Sequence, residues 1–170
     1  MKTATLFGGA MNITESKEYI ETIEIGKLLA NAGFVVYNGG YGGMMEAVSL
    51  GATQVGGTAI GVTCTSFGSP VGNVHLSQTI PENDIFDRLR TLIMGKDVFI
   101  VQRGGIGTLA ELFLLLDVIR KLKHPPKIVL YGEFWTDVMM HIEALMMRPK
   151  EKALYVILSD LDSLKRYLSL

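Results

Sequence analysis

Short apolar runs alternate with longer amphipathic stretches along this 170-residue chain, and glycine turns follow most of the short runs. Thr3–Phe7 reads as a strand that ends at Gly8-Gly9. Glu15–Ala32 carries a helical pattern, stopped at Asn31-Ala32-Gly33. Phe34–Tyr37 is a second strand, followed by the turn Asn38-Gly39-Gly40-Tyr41-Gly42-Gly43. The pattern then predicts a helix over Gly43–Val55, a strand over Thr58–Thr63 and a helix capped by Asn83/Asp84 that runs to about Gly95. Asp97–Gln102 is the next strand and Thr108–Leu122 the next helix, broken by Pro125-Pro126. Lys127–Tyr131 follows as a strand. Phe134–Met147 has apolar residues at 134, 135, 138, 139, 142, 145 and 146, a stripe with helical spacing. Leu154–Leu158 and Asp160–Leu168 close the pattern as a strand and a short helix.

Strands that are continuously apolar, and not alternating, are buried on both faces. Their alternation with helices implies right-handed βαβ units and a parallel sheet. The expected fold is therefore α/β: a doubly wound, mainly parallel sheet with helices on both faces, Rossmann-like and three-layered, in one domain spanning residues 1–170. Cys64–Glu82 reads as the one long irregular segment, of the kind that covers a site or frames it from a neighbouring subunit.

Composition narrows the classes. Hydrophobic residues make up 48% of the chain and charged residues 19%, enough to fill a core and too apolar for wholesale disorder. Sixteen Lys+Arg stand against seventeen Asp+Glu, so no basic face for nucleic acid is expected. No uninterrupted apolar run approaches the roughly twenty residues of a membrane span, and no membrane partner is expected. The amino terminus reaches glycine too early for a secretory signal, and Cys64 is the lone cysteine, which excludes an intrachain disulfide and any CxxC site. A cytoplasmic location follows as an expectation. His75, His124 and His141 show no metal-ligand spacing, so neither metal nor cofactor is expected. The pairs Met44-Met45, Met139-Met140 and Met146-Met147 read as core or subunit contact.

Glycine is the informative excess, at nineteen residues. Ligands of such sheets bind outside the carboxyl ends of the strands. The candidates are Gly8-Gly9, Gly39-Gly40 and, most sharply, Arg103-Gly104-Gly105-Ile106-Gly107-Thr108. Glycines let backbone N–H groups approach an anion, a helix start adds its positive dipole end, and Thr108 adds a hydroxyl. The alternative is a tight turn that binds nothing. No Walker pattern is present, and the match of Gly105–Ala110 to a dinucleotide loop is not on the first strand. Glu111 has two readings: Thr108-x-x-Glu111 is a capping box, and a carboxylate one turn from an anion loop is also placed to act on a ligand. Arg88 and Arg90 flank opposite edges of the stripe Ile85, Phe86, Leu89, Leu92 and Ile93, and periodicity does not choose between them.

These elements resemble the Lonely Guy (LOG) family of Rossmann-like proteins. The family signature Pro-Gly-Gly-x-Gly-Thr-x-x-Glu stands here as Arg103–Glu111, with Arg103 in place of the proline. Asp87-Arg88-Leu89 resembles the family's Glu-Arg-Lys and thereby selects Arg88; Val36–Val62 resembles its second glycine segment, with Glu46 in place of a glycine. The resemblance implies hydrolysis of the N-glycosidic bond of a nucleoside 5′-monophosphate, of the AMP or cytokinin type, to free base and ribose 5-phosphate. It implies that Gly104–Thr108 hold the phosphate and that Arg88 and Glu111 are catalytic, with Arg88 keeping Glu111 ionised. It also implies a homodimer or higher oligomer. The alternative is a non-catalytic nucleotide- or cofactor-binding protein resembling molybdenum-cofactor carriers.

Overall fold

The computed structural model describes residues 1–11, 15–68, 71–146 and 148–170. Seven parallel strands form one sheet in the order β4-β3-β2-β1-β5-β6-β7. They are β1 (Lys2–Phe7), β2 (Phe34–Asn38), β3 (Ala59–Cys64), β4 (Gln78–Glu82), β5 (Val98–Val101), β6 (Lys127–Tyr131) and β7 (Val156–Leu158). The helices are α1 (Lys17–Asn31), α2 (Met44–Gln54), α3 (Ile85–Ile93), α4 (Ile106–Ile119), α5 (Phe134–Met146), α6 (Pro149–Lys152) and α7 (Leu161–Leu168). The chain winds outward from β1 to β4, then returns to place β5 beside β1, with Phe7 opposite Val101. Strand order therefore reverses between β1 and β5, and the crevice at their carboxyl ends is where such sheets take ligands.

Burial explains the apolar runs. All six residues of β3 and all four of β5 are buried. One face packs Ala4, Leu6, Val36 and Ile100 against Ile25 and Leu29 of α1, Ala47 and Val48 of α2, and Leu164 of α7. The other packs Phe7, Val62, Phe99 and Val101 against Leu92 of α3, Leu112 and Leu115 of α4, and Trp135 of α5. The three-layer α/β expectation holds. Ser16, Asp84 and Asp160 cap α1, α3 and α7 through their side-chain oxygens, as those residue types favour.

Two expectations are corrected. The segment Cys64–Glu82 is not irregular throughout: after the short 3₁₀ turn Thr65–Phe67 it contains β4, paired in parallel with β3, Pro81 opposite Thr63. A proline disguises a strand in sequence, and at a sheet edge it costs no ladder bond. Helix α4 begins at Ile106 and not at Thr108, with Gly105 as its cap residue. Thr108 is thus inside the first turn, and Thr108–Glu111 is not a capping box. The expected end of α5 at Met147 lies outside the described residues, as do positions 69–70 within the 64–82 segment.

Candidate active site

The three glycine turns converge at the carboxyl edge. The Gly9 amide donates to the Arg103 carbonyl at 3.0 Å, and the Met44 amide to the Gly9 carbonyl at 2.9 Å. The β1 turn is thereby clipped between the β5 turn and the start of α2. Gly104 sits so close to Thr108 Oγ1 and the Gly9 amide that no side chain fits there. At Gly105 and Gly107, by contrast, a Cβ would meet nothing within 4 Å. Residues Gly104–Gly107 are exposed, and the first intrahelical bond of α4 is Leu109 N–H to Gly105 O at 3.1 Å. The amides of Gly105–Thr108 consequently have no helical acceptor, which is the anion-binding condition of a helix start. The side chain of Thr108 is buried against Gly104.

Arg88 is the buried arginine: it is 5% exposed, while Arg90 faces solvent and pairs with Asp87. The α3 stripe alone could not distinguish them; the fold does, because one edge of α3 faces the carboxyl ends of β2 and β3. Arg88 Nε donates to Val62 O at 2.8 Å, Nη2 to Gly39 O at 3.2 Å and Nη1 to Glu111 Oε1 at 3.3 Å. Gly39 thus serves the arginine: a Cβ there would strike Nη2 and Met45 Sδ. Gly40 accepts the Asn73 amide at its carbonyl, and its own N–H donates to Asn38 Oδ1 at 2.8 Å. Gly8 packs tightly on Met44 and Gln102. The structure therefore gathers Arg88, Glu111 and Gly104–Thr108, with Gly8 and Gly9 beside the loop and Gly39 and Gly40 under Arg88.

Burial pushes the Glu111 carboxyl up to about 7, outweighing the opposite pull of the Arg88 charge and hydrogen bond. Arg88 pulls the carboxyl in the expected direction, but desolvation outweighs it. Arg103 leaves the loop open, with its guanidinium 5.7 Å from the Phe134 ring centroid. Leu89 is buried, and Glu46 lies 3.9 Å from His75 Nε2. Sequence reading missed Tyr41 and Phe67, whose rings lie 5.7 and 5.9 Å from Arg88 Cζ. An aromatic inside an otherwise glycine-asparagine turn was the available signal for Tyr41; Phe67 had none.

Two clefts of about 350 and 640 Å³ lie elsewhere, one between α4, α5 and α6 and one at the amino edge of the sheet. Neither is lined by Arg88 or Glu111. Among the described residues no helix is long and apolar enough to cross a membrane.

Residues 1–141 match the SLOG cluster4 family. The chain belongs to that family. A relative from Rhodococcoides fascians, described as cytokinin riboside 5′-monophosphate phosphoribohydrolase, is 30% identical over 148 residues, 84% of this chain and 74% of its own length. The resemblance to LOG proteins read from Arg103–Glu111 is borne out by these matches. The molybdenum cofactor binding protein of the phototrophic bacterium Rippkaea orientalis has the same fold, with a TM-score of 0.78 at 20% identity over 99% of this chain and 95% of its own. The molybdenum cofactor carrier protein of Chlamydomonas reinhardtii gives 0.72 at 21% identity, covering 99% of each chain. At these identities the likeness is one of fold.

Proposed function

We propose that this SLOG protein hydrolyses the N-glycosidic bond of a nucleoside 5′-monophosphate, releasing free base and ribose 5-phosphate. The observation that carries this reading is the Arg88–Glu111 ion pair, 3.3 Å apart, which joins α3 to the helix whose open first turn suits a phosphate. The 5′-phosphate rests on the amides of Gly105–Thr108. That anchor delivers C1′ toward Glu111, about one turn further along α4. As the bond from C1′ to the base nitrogen breaks, its electron pair leaves with the base and positive charge grows on C1′. The Glu111 carboxylate stabilises that charge and takes a proton from the attacking water, whose oxygen bonds to C1′. The departing base nitrogen takes up one proton from solvent and Glu111 returns its own to solvent, so that one water is consumed and the carboxylate is regenerated. Arg88 holds Glu111 in place and lowers the cost of its ionised form. No cofactor takes part. In this reading the working form is a homodimer or higher homo-oligomer in the cytoplasm.

The test is base release from AMP and from cytokinin riboside 5′-monophosphates, followed by chromatography. Glu111→Gln is expected to lower turnover at least about 10³-fold while AMP binding changes only a few-fold. Full turnover in the variant would reduce Glu111 to a structural role. Nucleotide binding without any base release by the unaltered protein would favour the carrier reading, which the open loop and the added Arg103 cation also suit.

The raised carboxyl sets the sign of two pH effects. General-base action needs the ionised form, so kcat/KM is expected to fall as pH drops below about 7. Stability runs the other way. The folded state favours the protonated carboxyl, so its contribution is complete below 4.5 and lost as pH rises to about 7. Thermal denaturation across that range should show the unaltered protein losing stability relative to Glu111→Gln as pH rises, by about 3 kcal/mol at most.

A further inference from the structure

Phe67 closes the 3₁₀ turn after β3 and leaves 54% of its surface exposed. It belongs to neither hydrophobic core cluster. Its ring lies 5.9 Å from Arg88 Cζ and 6.4 Å from the Tyr41 ring, tilted by 37°. Tyr41 is anchored, its hydroxyl accepting the Cys64 amide at 3.0 Å. That hydrogen bond accounts for Tyr41, whereas neither core cluster accounts for Phe67. Nor does the arginine need a second ring: it is already fixed by Val62 O, Gly39 O and Glu111. Among the described residues those bonds engage three of the five guanidinium N–H donors.

An exposed aromatic beside a buried cation is a π surface in want of a planar partner. We propose that Phe67 is the stacking wall of this site, its open side taking the heteroaromatic ring of the ligand. This rests on the reading of the site as a nucleotide site, and for that substrate the ring is the purine base. Base–aromatic stacking tolerates many bases, so the wall accepts planar rings as a class and leaves discrimination to other contacts.

Tryptophan at this position makes the contact visible. The chain has one tryptophan, Trp135, which is buried with its Nε1–H on Val101 O. Emission changes in Phe67→Trp therefore report the site. AMP and adenosine are expected to quench that emission, and ribose 5-phosphate to leave it unchanged. In calorimetry, Phe67→Ala should weaken AMP binding about five- to a hundredfold and ribose 5-phosphate binding less than twofold. Equal losses for both ligands would make the ring a mere prop for Arg88 and overturn the proposal. So would AMP affinity unchanged in Phe67→Ala, or no quenching by either AMP or adenosine. The two readings fail separately. Quenching by AMP without adenine release sinks the hydrolase and keeps the wall; adenine release at an unchanged KM in Phe67→Ala does the reverse.

Discussion

Two glycine turns meet at the same crevice for opposite reasons. In Asn38–Gly43, Gly39, Gly40 and Gly43 are demanded by the protein itself. Gly43 has φ +64° and its missing Cβ would overlap the carbonyl of Gly9. Gly39 makes room for Arg88 and Met45. In Gly104–Thr108 only Gly104 is so confined, while Gly105 and Gly107 face empty space at ordinary negative φ. Composition treats the two turns as one motif. Packing separates a turn that holds the scaffold from one whose outer glycines touch nothing else in the protein.

Substitution tests that division. Gly43→Ala should have the largest effect, a loss of about 3 kcal/mol or more, because strain at positive φ adds to overlap with backbone that cannot yield. A denaturant melt within 1 kcal/mol of the unaltered protein would erase the contrast. Gly107→Ala should do the reverse, raising stability by about 0.5–1 kcal/mol through helix propensity alone. Its expected cost is functional: a methyl among the open amides should weaken AMP and ribose 5-phosphate at least about tenfold, since it hinders the phosphate approach. Gly105→Ala should leave stability nearly unchanged with a similar binding loss. Unimpaired phosphate binding in both variants would return the loop to the status of a turn.

Much of this was readable before any coordinates. The strands showed because both faces of the sheet are covered, which leaves uninterrupted apolar runs such as Val98–Val101. The turns showed because they are glycine. β4 was invisible since Gln78–Glu82 has a proline and little apolar content, as befits an edge. The start of α4 was misplaced by two residues because Thr108 resembles a cap and Gly105 does the capping without a side chain. Arg88 could be preferred to Arg90 only through family likeness; its place depends on the Val62 carbonyl of β3 and the Gly39 carbonyl just after β2, both far away in sequence. The direction of the Glu111 shift was out of reach for a related reason. A nearby cation can be inferred from a motif, but the desolvation that outweighs it is a property of the whole assembled layer.

Pro81 has a consequence for how copies of this chain can meet. A strand on the sheet margin is a template onto which another molecule's strand can zip, and proline on that margin lacks the amide such growth requires. The opposite margin, β7, is only three residues long. Sheet extension across molecules is hindered at one border by the missing amide and short-changed at the other, which disfavours fibrous aggregation through the sheet margins.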